Sequence, residues 1–342
     1  MDNLHILGID LGRRTFHCIG HDQHGHEVFR KKFNRAQLLL WLSNLPHTTV
    51  AFESCGGAHW LARKCESYGH EAKLIPPQYV KPYVKSNKND FIDAAAIAEA
   101  ASRPSMRFAA VKSENAQVIS TINRAREAYI KERTATMLRI GGILVEFGLS
   151  LPKGHSTMKK LFQWIAEQNQ SLPQALVLEL KELHEHYLYL TEHVQKQEQK
   201  LIKMTSDNEI GELLMTIPGV AHITASSCLA EIASPGNFKC GRDMAAWIGL
   251  VPRQYSTGGK TTLLGISKRG NKRLRTLFIH CARAVLSKPE TTGKCFGPWL
   301  TNLRASKPFN VVVVALANKL VRIAWAVMNS HRAFNANNLA CQ

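Results

Sequence analysis

Two short, mainly apolar runs in the N-terminal third of the chain each end at an acidic residue. Residues 4–10 form the first run, which closes on Asp10 just before Gly12, and residues 48–52 form the second, which is followed by Glu53. Runs of this kind, bounded by turn residues, are typical of strands buried inside a sheet. The chain is therefore predicted to begin with an α/β domain whose buried strands end in carboxylates.

The other elements of this region follow a recognisable order. Residues 21–25 are rich in turn formers and separate two strand-like runs, which is a hairpin signal, and Asn34 can cap the helix that follows. Strands are predicted at 4–10, 15–20, 27–33, 48–52 and 71–75, and helices at 37–45, 56–68 and 90–101. This is the order of the ribonuclease H-like (RuvC-like) fold, in which the fourth strand lies beside the first. In that topology the side chain of Glu53 can meet that of Asp10.

Two more acids, Asp90 and Asp93, lie three residues apart at the start of a predicted helix and so share one of its faces. An Asp at a helix start is ordinarily a cap, and that is the simpler explanation for Asp90 taken alone. Four carboxylates gathered together, however, would repel one another and need cations. We therefore predict that Asp10, Glu53, Asp90 and Asp93 bind divalent metal, which can polarise a phosphate and ready an attacking oxygen.

An actin-like ATPase also carries an acid at the end of a strand like 4–10, beside the nucleotide phosphates. That function requires glycine-rich phosphate and adenosine loops further along the chain. No such loop follows in a convincing strand context. The nuclease-type metal ligand is therefore the favoured role for Asp10.

A long basic stretch without any acid lies in the C-terminal half. No Asp or Glu occurs between Met244 and Pro289, while Lys and Arg recur throughout. A solvated surface is the simpler explanation, but the length of the stretch favours phosphate binding. The residues predicted to bind nucleic acid here are Arg253, Lys260, Lys268, Arg269, Lys272, Arg273 and Arg275.

Ser256 lies inside this stretch, in a glycine-rich loop that reads Tyr255-Ser256-Thr257-Gly258-Gly259. A serine in such a loop is most often a turn residue, but the basic surroundings suit a hydroxyl that attacks a phosphodiester. The neighbouring Thr257 is the competing candidate. No acid is near in sequence, so activation of the hydroxyl is expected from elsewhere in the fold, with the acidic cluster as the first candidate.

A second nucleic-acid contact is predicted at Pro218-Gly219-Val220. A helix, this hairpin and a second helix beginning near Thr224 form a helix-hairpin-helix pattern, whose backbone amides meet phosphates without reading bases. Gly219 is accordingly a candidate nucleic-acid-binding residue. The same glycine could equally end any helix, and both interpretations stay open.

The middle of the chain carries a regular heptad seam. Its positions alternate in steps of four and three, with one polar interruption at Gln197. The seam comprises Leu176, Leu180, Leu183, Tyr187, Leu190, Val194, Gln197, Leu201 and Met204. Packing against the same chain is one explanation. The regularity favours a coiled coil with a helix of a second subunit.

Overall composition agrees with a protein that acts on nucleic acid. The chain has 342 residues and a formal net charge of +18, which points to a polyanionic partner. The apolar stretch 311–317 is too short to span a bilayer, and the N-terminus lacks the features of a signal peptide. Eight scattered cysteines form no C-x-x-C pair, so neither a disulfide framework nor a zinc site is suggested. A cytoplasmic protein that joins the nucleoid during its action is expected.

Taken together and in order, these motifs resemble the Piv/MooV-like transposases of the "one-ten" and "eleven-eleven" insertion sequences. The resemblance covers nearly the whole chain. Its N-terminal motifs are Gly8-Ile9-Asp10, Glu53-Ser54-Cys55-Gly56-Gly57, and Asn89-Asp90 followed by Asp93-Ala94. Its C-terminal motifs are Ile217-Pro218-Gly219-Val220, Gly249-Leu250-Val251-Pro252, Tyr255 to Lys260, and Lys268 to Arg275. Serine followed by Thr-Gly resembles the eleven-eleven branch.

The resemblance implies a RuvC-like DEDD domain with trailing helix at 1–150, a helical coiled-coil region at 151–205 and a mainly α transposase domain at 206–330. It implies Mg²⁺ on Asp10, Glu53, Asp90 and Asp93, with Ser256 forming a covalent phosphoserine intermediate. It also implies donor and target DNA as substrates, a homo-oligomer (dimer or tetramer), and an element-encoded guide RNA of the bridge type that pairs with both DNAs.

Two other functions remain open at this point. A RuvC-like endonuclease that hydrolyses DNA without a covalent intermediate would explain the acids but leave Ser256 without a role. A non-enzymatic nucleic-acid scaffold would explain the charge and the seam but leave the acids unexplained.

Overall fold

The chain divides after Glu114 into two units, each with its own core. The computed structural model describes residues 3–84, 89–152, 154–168, 171–232 and 234–336. The first unit is mixed α/β, as predicted, and the second is mainly helical. The helix predicted to trail the first domain belongs to the second unit. The boundaries at 150 and 205 stay predictions.

The first unit is built on a five-stranded sheet of order β3-β2-β1-β4-β5. Strands β1–β3 are antiparallel to one another, and β4 and β5 add in parallel beyond β1. This confirms that the fourth strand lies beside the first. The strands are β1 Ile6–Leu11, β2 Thr15–His21, β3 Glu27–Asn34, β4 Thr49–Glu53 and β5 Glu71–Ile75.

Helices cover both faces of this sheet, because side chains alternate along each strand. Leu7 and Ile9 of β1 enter one cluster with the first two helices, while Ile6 enters another with the fourth. The helices are α1 Arg35–Ser43, α2 Ala58–Ser67, α3 Pro77–Val80 and α4 Asp90–Ala101, with a 3₁₀ turn at Lys81–Tyr83. Asn34 caps α1 in a full capping box with Gln37, as its sequence position predicts.

Helix α4 lies unusually close to the sheet at Gly8. A Cβ atom on Gly8 would collide with the carbonyl oxygen of Ala94 and would come within 2.7 Å of the amide nitrogen of Ala98. Both alanines are fully buried. Only small side chains on the helix and a glycine on the strand permit this approach, which fixes where the start of α4 lies relative to the ends of β1 and β4.

The second unit contains ten helices and one two-stranded hairpin among its described residues. The helices are α5 Glu114–Glu146, α6 His155–Lys159, α7 Leu161–Glu167, α8 Gln174–Ser206, α9 Glu209–Met215, α10 His222–Glu231, α11 Gly241–Ile248, α12 Lys272–Leu286, α13 Pro289–Ser306 and α14 Phe309–Ser330. The hairpin strands are β6 Pro252–Thr257 and β7 Lys260–Ile266, and a 3₁₀ turn spans Pro235–Asn237. Helix α13 is kinked at Gly297.

Helix α14 is the centre of the main core of the second unit. By length and composition it is the one described helix that could cross a membrane, with a mean hydropathy of 1.9. Val312, Leu316 and Leu320 are nevertheless buried against α11 and α12. Its apolar character is thus explained by burial on several sides. The apolar segment is longer than the 311–317 stretch identified from sequence.

The heptad seam of α8 is buried within its own chain. All nine seam positions are buried or half-buried, and Leu180 and Tyr187 share a cluster with Ile140 and Leu144 of α5. The Arg126 guanidinium of α5 also donates to the Glu198 carboxylate of α8 at 2.6 and 2.9 Å. Packing within the same chain, the alternative explanation, thus accounts for much of the burial of this seam, and a coiled coil with a second subunit stays a prediction. A regular heptad reports the need for a partner helix, and α5 supplies one.

Replacement of Leu190 by Ala should destabilise the monomer itself. Leu190 is fully buried, so the cavity should cost about 2–5 kcal/mol in the free energy of unfolding. The matched control is Leu188→Ala on the same helix, where the side chain is 42% exposed and the cost should stay within about 0.5 kcal/mol. Urea denaturation gives both values. A lower mass in light scattering with unchanged unfolding of the subunit would instead assign Leu190 to a contact between subunits.

Candidate active site

The strand register brings three polar side chains to one face of the first sheet. Asp10 of β1 pairs directly with His17 of β2, so the two side chains lie on the same face. Glu53 of β4 follows Phe52, the partner of Ile9, and so stands next to Asp10 at the strand ends. This is the face that α4 covers.

The start of α4 adds two acids on this face. The Asn89 side chain caps the helix by accepting from the Phe91 amide at 2.9 Å, which leaves Asp90 and Asp93 free for another role. Both lie in the first turn, where the helix dipole favours negative charge. The Phe91 ring packs edge-on against the His17 ring at 4.7 Å between centroids. This contact holds the helix start against β2.

Asp10, His17 and Asp90 form a cluster of the kind that holds a metal ion. One ligand atom of each lies within 4.8 Å of the others, and the His17 Nδ1 atom is 3.5 Å from an Asp90 carboxylate oxygen. Donors on opposite sides of a cation bound at about 2.1 Å would be about 4.2 Å apart, so a small contraction would close the cluster. Carboxylates suit Mg²⁺ and Mn²⁺, and an imidazole adds affinity for transition metals. The residues present therefore fit a divalent cation.

Glu53 borders the cluster. Burial raises the pKa of the neighbouring Cys55 thiol, and the negative charges of Glu53 and Asp10 raise it further. The Cys55 thiol is therefore close enough to both carboxylates for their charges to act on it. Asp93, in contrast, is half-buried one turn along the helix start and is not among the three residues whose ligand atoms meet. The full four-acid ligand set stays a prediction.

His17 is the member of the cluster that sequence reasoning missed. It lies within an ordinary strand, without a glycine turn or a second acid nearby to draw attention to it. The one available signal was the short connection between the first two strands, since antiparallel pairing about residues 12–14 places residue 17 opposite residue 10. A polar residue at an inward position that faces a carboxylate is a candidate ligand in its own right.

Ser256 lies in a strand, which corrects its assignment to a loop. It belongs to β6, pairs with Thr261 of β7, and is exposed like every other residue of its strand. The turn is Gly258-Gly259, and both have positive φ, as a tight two-residue hairpin turn requires. The Gln254 amide donates to the Ser256 hydroxyl at 2.8 Å. The hydroxyl is thus held on an accessible ribbon.

Ser256 and Thr257 point to opposite faces of that ribbon, because neighbouring side chains alternate along a strand. Thr257 pairs with Lys260, whereas Ser256 pairs with Thr261. The face of Ser256 therefore carries Gln254 and Thr261, and the other face carries Thr257 and Lys260. The two candidate nucleophiles cannot substitute for each other without a large displacement of the hairpin.

The basic residues of this region fall into two groups. Five of those predicted to bind nucleic acid are exposed and remain candidates, namely Arg253, Lys260, Lys268, Arg269 and Lys272. The other two are engaged inside the protein. The buried Arg275 donates to the backbone carbonyls of Ile248 and Arg269 at 2.7 and 3.0 Å. Its guanidinium holds the hairpin exit onto α11, and a phosphate contact of Arg275 stays a prediction.

Arg273 is likewise occupied. Its guanidinium lies 3.0 Å from the Glu127 carboxylate and donates to the side chains of Asn123 at 2.8 Å and Ser227 at 3.3 Å. These contacts tie α12 to α5 and α10. Sequence alone could not separate Arg273 and Arg275 from their exposed neighbours, because a basic run does not reveal which side chains face inward.

Gly219 has a structural reason for being glycine. Its φ is +82°, and a Cβ atom there would come within 2.6 Å of the Cys281 carbonyl oxygen of α12. Helices α9 and α10 flank this turn as predicted, and Ile217 and Val220 are buried beneath it. A phosphate contact at Gly219 stays a prediction.

Replacement of His17 by Asn should weaken divalent-metal binding by about 10- to 100-fold, because it removes the imidazole that contacts Asp90. The direct readout is the signal of free Mn²⁺ in electron paramagnetic resonance during titration, with Mg²⁺ as competitor. His26→Asn is the matched control, since His26 also faces a carboxylate, that of Asp22 at 3.3 Å, but outside the cluster. Equal Mn²⁺ affinity of wild type and His17→Asn would remove His17 from the site.

Comparison with known proteins agrees with this arrangement in both units. A transposase family of the DEDD type matches residues 7–148, and the "Transposase IS116/IS110/IS902 family" matches residues 211–295. The chain is 45% identical to the transposase of insertion sequence IS1328 from Yersinia enterocolitica, over 98% of this chain and 100% of that protein.

Less similar relatives also align with nearly the whole chain. The transposase of IS1111A from Coxiella burnetii is 38% identical over 98% of this chain and 92% of its own length. The pilin gene-inverting protein of Moraxella bovis is 24% identical over 96% of this chain and 97% of its own length. With acids gathered at the sheet edge and full-length likeness to such transposases, the chain belongs to the IS110/IS116/IS902 family and is a DNA transposase.

Proposed function

We propose that the chain moves its own insertion sequence through a covalent phosphoserine intermediate on Ser256, assisted by a divalent cation held at the acidic face of the first unit. The observation that carries the proposal is the accessible Ser256 hydroxyl on a ribbon free of acids. The transposase likeness supports DNA as the substrate. The similarity to a pilin gene-inverting protein also supports the proposal, because inverting a DNA segment requires its strands to be cut and rejoined.

The ligands proposed for the cation are Asp10 and Asp90, with Glu53 and Asp93 completing the set and His17 as an added donor or support. Oxygen donors predominate, which favours Mg²⁺ as the physiological ion. A bound divalent cation would supply positive charge and Lewis acidity beside a phosphate oxygen. The carboxylates themselves orient the ion, and the dipole of α4 moderates their mutual repulsion.

The serine step conserves the number of phosphodiester linkages. The Ser256 oxygen forms a bond to a DNA phosphorus, its proton passes to a base, and the bond from phosphorus to one deoxyribose oxygen breaks. That oxygen takes up a proton and leaves as a free hydroxyl. In the reverse direction a hydroxyl of the exchanged strand attacks the phosphoserine, which restores the phosphodiester and frees Ser256. No energy source is needed, because each bond broken is replaced by one of the same kind.

The hairpin suits the first step in charge as well as access. The ribbon carries Arg253 and Lys260, although Lys260 lies on the face opposite Ser256, and no acid of the ribbon would repel the approaching phosphate. Gln254 donates to the hydroxyl, which leaves the hydroxyl proton free for transfer. Residues 252–266 hold neither a carboxylate nor an imidazole, so the base must come from outside the ribbon.

A Ser256→Ala variant should lose covalent attachment to DNA completely, whereas Thr257→Ala should retain it, because the two hydroxyls lie on opposite faces. Suicide DNA substrates that trap the cut state, followed by denaturing electrophoresis, measure the adduct. Both variants exchange exposed hydroxyls and should unfold like wild type. An adduct that survives in Ser256→Ala and vanishes in Thr257→Ala would transfer the role to Thr257.

The same assay separates the alternative functions for the wild-type chain. A recombinase gives a protein–DNA adduct. An endonuclease that uses water gives free DNA ends and no adduct, and a scaffold gives binding alone. Either of the last two results would overturn the serine mechanism while leaving the family assignment intact.

Mixing two inactive proteins should restore cleavage if the acidic cluster and Ser256 act from different subunits of an oligomer. Asp10→Ala removes a ligand, Ser256→Ala removes the nucleophile, and hybrid oligomers would contain one intact pair. We expect adduct formation in the mixture at a fraction of the wild-type level. A mixture that stays inactive, although both variants bind DNA and form the wild-type oligomer, would show that both groups must belong to one subunit.

The choice of DNA sites is proposed to come from a guide RNA encoded by the element. What supports this is the excess of positive charge together with the lack of a helix-turn-helix recognition pattern. Protein expressed together with its flanking DNA should copurify with one structured RNA, identified by sequencing. Copurification of only bulk cellular RNA, with full site-specific activity after ribonuclease treatment, would exclude the guide.

A further inference from the structure

A groove in the second unit lies along α14, a helix that follows the region matched to the transposase family at 211–295. Its volume is about 670 Å³, within the range of about 300–1,000 Å³ that small-molecule sites span. Its walls include Pro252 and Ile266, the paired residues at the base of the serine hairpin, and Trp299 of α13. The groove is therefore next to the foot of the ribbon that carries Ser256.

The groove is positively charged without compensation. Lys319 and Arg322 of α14 and Arg332 beyond it line the walls, and no acid is among the lining residues. None of these three forms an ion pair with an acid in the described part of the chain. Burial lowers the pKa of Lys319, and the nearby charge of Arg322 lowers it further. Two like charges held one turn apart would be relieved by an anion.

The groove also has an aromatic and apolar side. Trp299 keeps 38% of its surface exposed, and Phe334 lines the same cavity. The Lys319 ammonium lies 4.4 Å from the centre of the Trp299 ring, so cation and aromatic ring are adjacent. Val311, 50% exposed, extends the apolar wall. Large exposed aromatic side chains beside cations are the usual means of stacking a base while pairing its phosphate.

We propose that this groove binds one unpaired nucleotide of the nucleic acid on which the transposase acts, with the base against Trp299 and Phe334 and the phosphate at Lys319, Arg322 and Arg332. The distance along β6 from Pro252 to Ser256 is four residues, or about 13 Å. A nucleotide held at the hairpin base would thus be a few nucleotides from a strand at the Ser256 hydroxyl. Only this spacing rests on the proposed serine chemistry.

A nucleotide accounts for both halves of the groove. An inorganic anion would leave the aromatic wall unused, and an apolar peptide would leave three cations unpaired. The net charge of +18 makes a polyanion the natural source of the phosphate. The same chemistry can come from DNA or from RNA, so the probes must include both.

The test uses tetranucleotides of deoxythymidine, of uridine, and of abasic deoxyribose phosphate with the same charge. Binding of the first or second should quench tryptophan emission, and the quenching should be lost in Trp299→Phe, which removes one of six indoles but keeps an aromatic ring. Affinity, measured by anisotropy of labelled probes, should stay close to wild type in Trp299→Phe. It should fall about tenfold in Trp299→Ala, at the low end of base stacking.

Charge is tested in parallel. Lys319→Gln with Arg322→Gln should weaken binding of the tetranucleotides about tenfold. Arg304→Gln is the control, since it removes an exposed charge from α13 outside the groove. Ultraviolet cross-linking with 5-iodouracil in the probe should map to the peptides of Trp299 or Phe334. The sugar that binds more tightly identifies the source as DNA or RNA.

Equal affinity for the abasic probe would exclude a base pocket. Cross-links found only elsewhere, with unchanged quenching in Trp299→Phe, would overturn the assignment of the groove. Binding of anionic phospholipid vesicles that no tetranucleotide displaces would assign it to lipid instead. These readouts involve no DNA cleavage, so failure here and failure of the serine mechanism are distinguishable.

Discussion

The acidic face of the first unit depends on the contact between Gly8 of β1 and the backbone of α4. Because Gly8 has no side chain and α4 presents Ala94 and Ala98, the helix lies directly on the strand. The helix start then brings Asp90 to Asp10, which lies two residues after Gly8 near the end of β1. Gathering carboxylates is unfavourable by itself, since like charges repel. Tight packing elsewhere in the unit must offset that cost, and the helix dipole and a bound cation reduce it.

In the second unit, close backbone packing at glycines likewise positions the hairpin that carries Ser256. Glycines at 249 and 270 permit backbone to approach backbone at the two ends of the serine hairpin. The buried Arg275 guanidinium ties the hairpin exit to α11 by donating to the carbonyl oxygens of Arg269 and Ile248. The root of the hairpin is therefore rigid, while its strands are exposed along their length. A nucleophile that must meet an extended polymer benefits from such an arrangement, because the ribbon is accessible yet its base cannot shift.

Much of the first unit followed from sequence, because strand periodicity, the Asn34 cap and the acids at strand ends are local signals. What the sequence could not show depends on long-range packing. His17 joined the cluster through pairing of two strands, the α8 seam found its partner in α5, and Arg273 and Arg275 turned inward beside exposed cations. A heptad pattern or a basic run indicates that a surface needs a partner, but it does not identify that partner. Only the three-dimensional arrangement decides between the partners that the chain offers.

The most direct test of the covalent serine mechanism is to locate the phosphoryl group on the unmodified chain. Trypsin cuts after Arg253 and Lys260, which releases residues 254–260 as one peptide that contains Tyr255, Ser256 and Thr257. Tandem mass spectrometry of the trapped DNA complex, after nuclease digestion to a single nucleotide, assigns the adduct among these three hydroxyls. The account predicts a nucleotide on Ser256. A nucleotide on Thr257 or Tyr255, or cut DNA with an unmodified peptide, would contradict it.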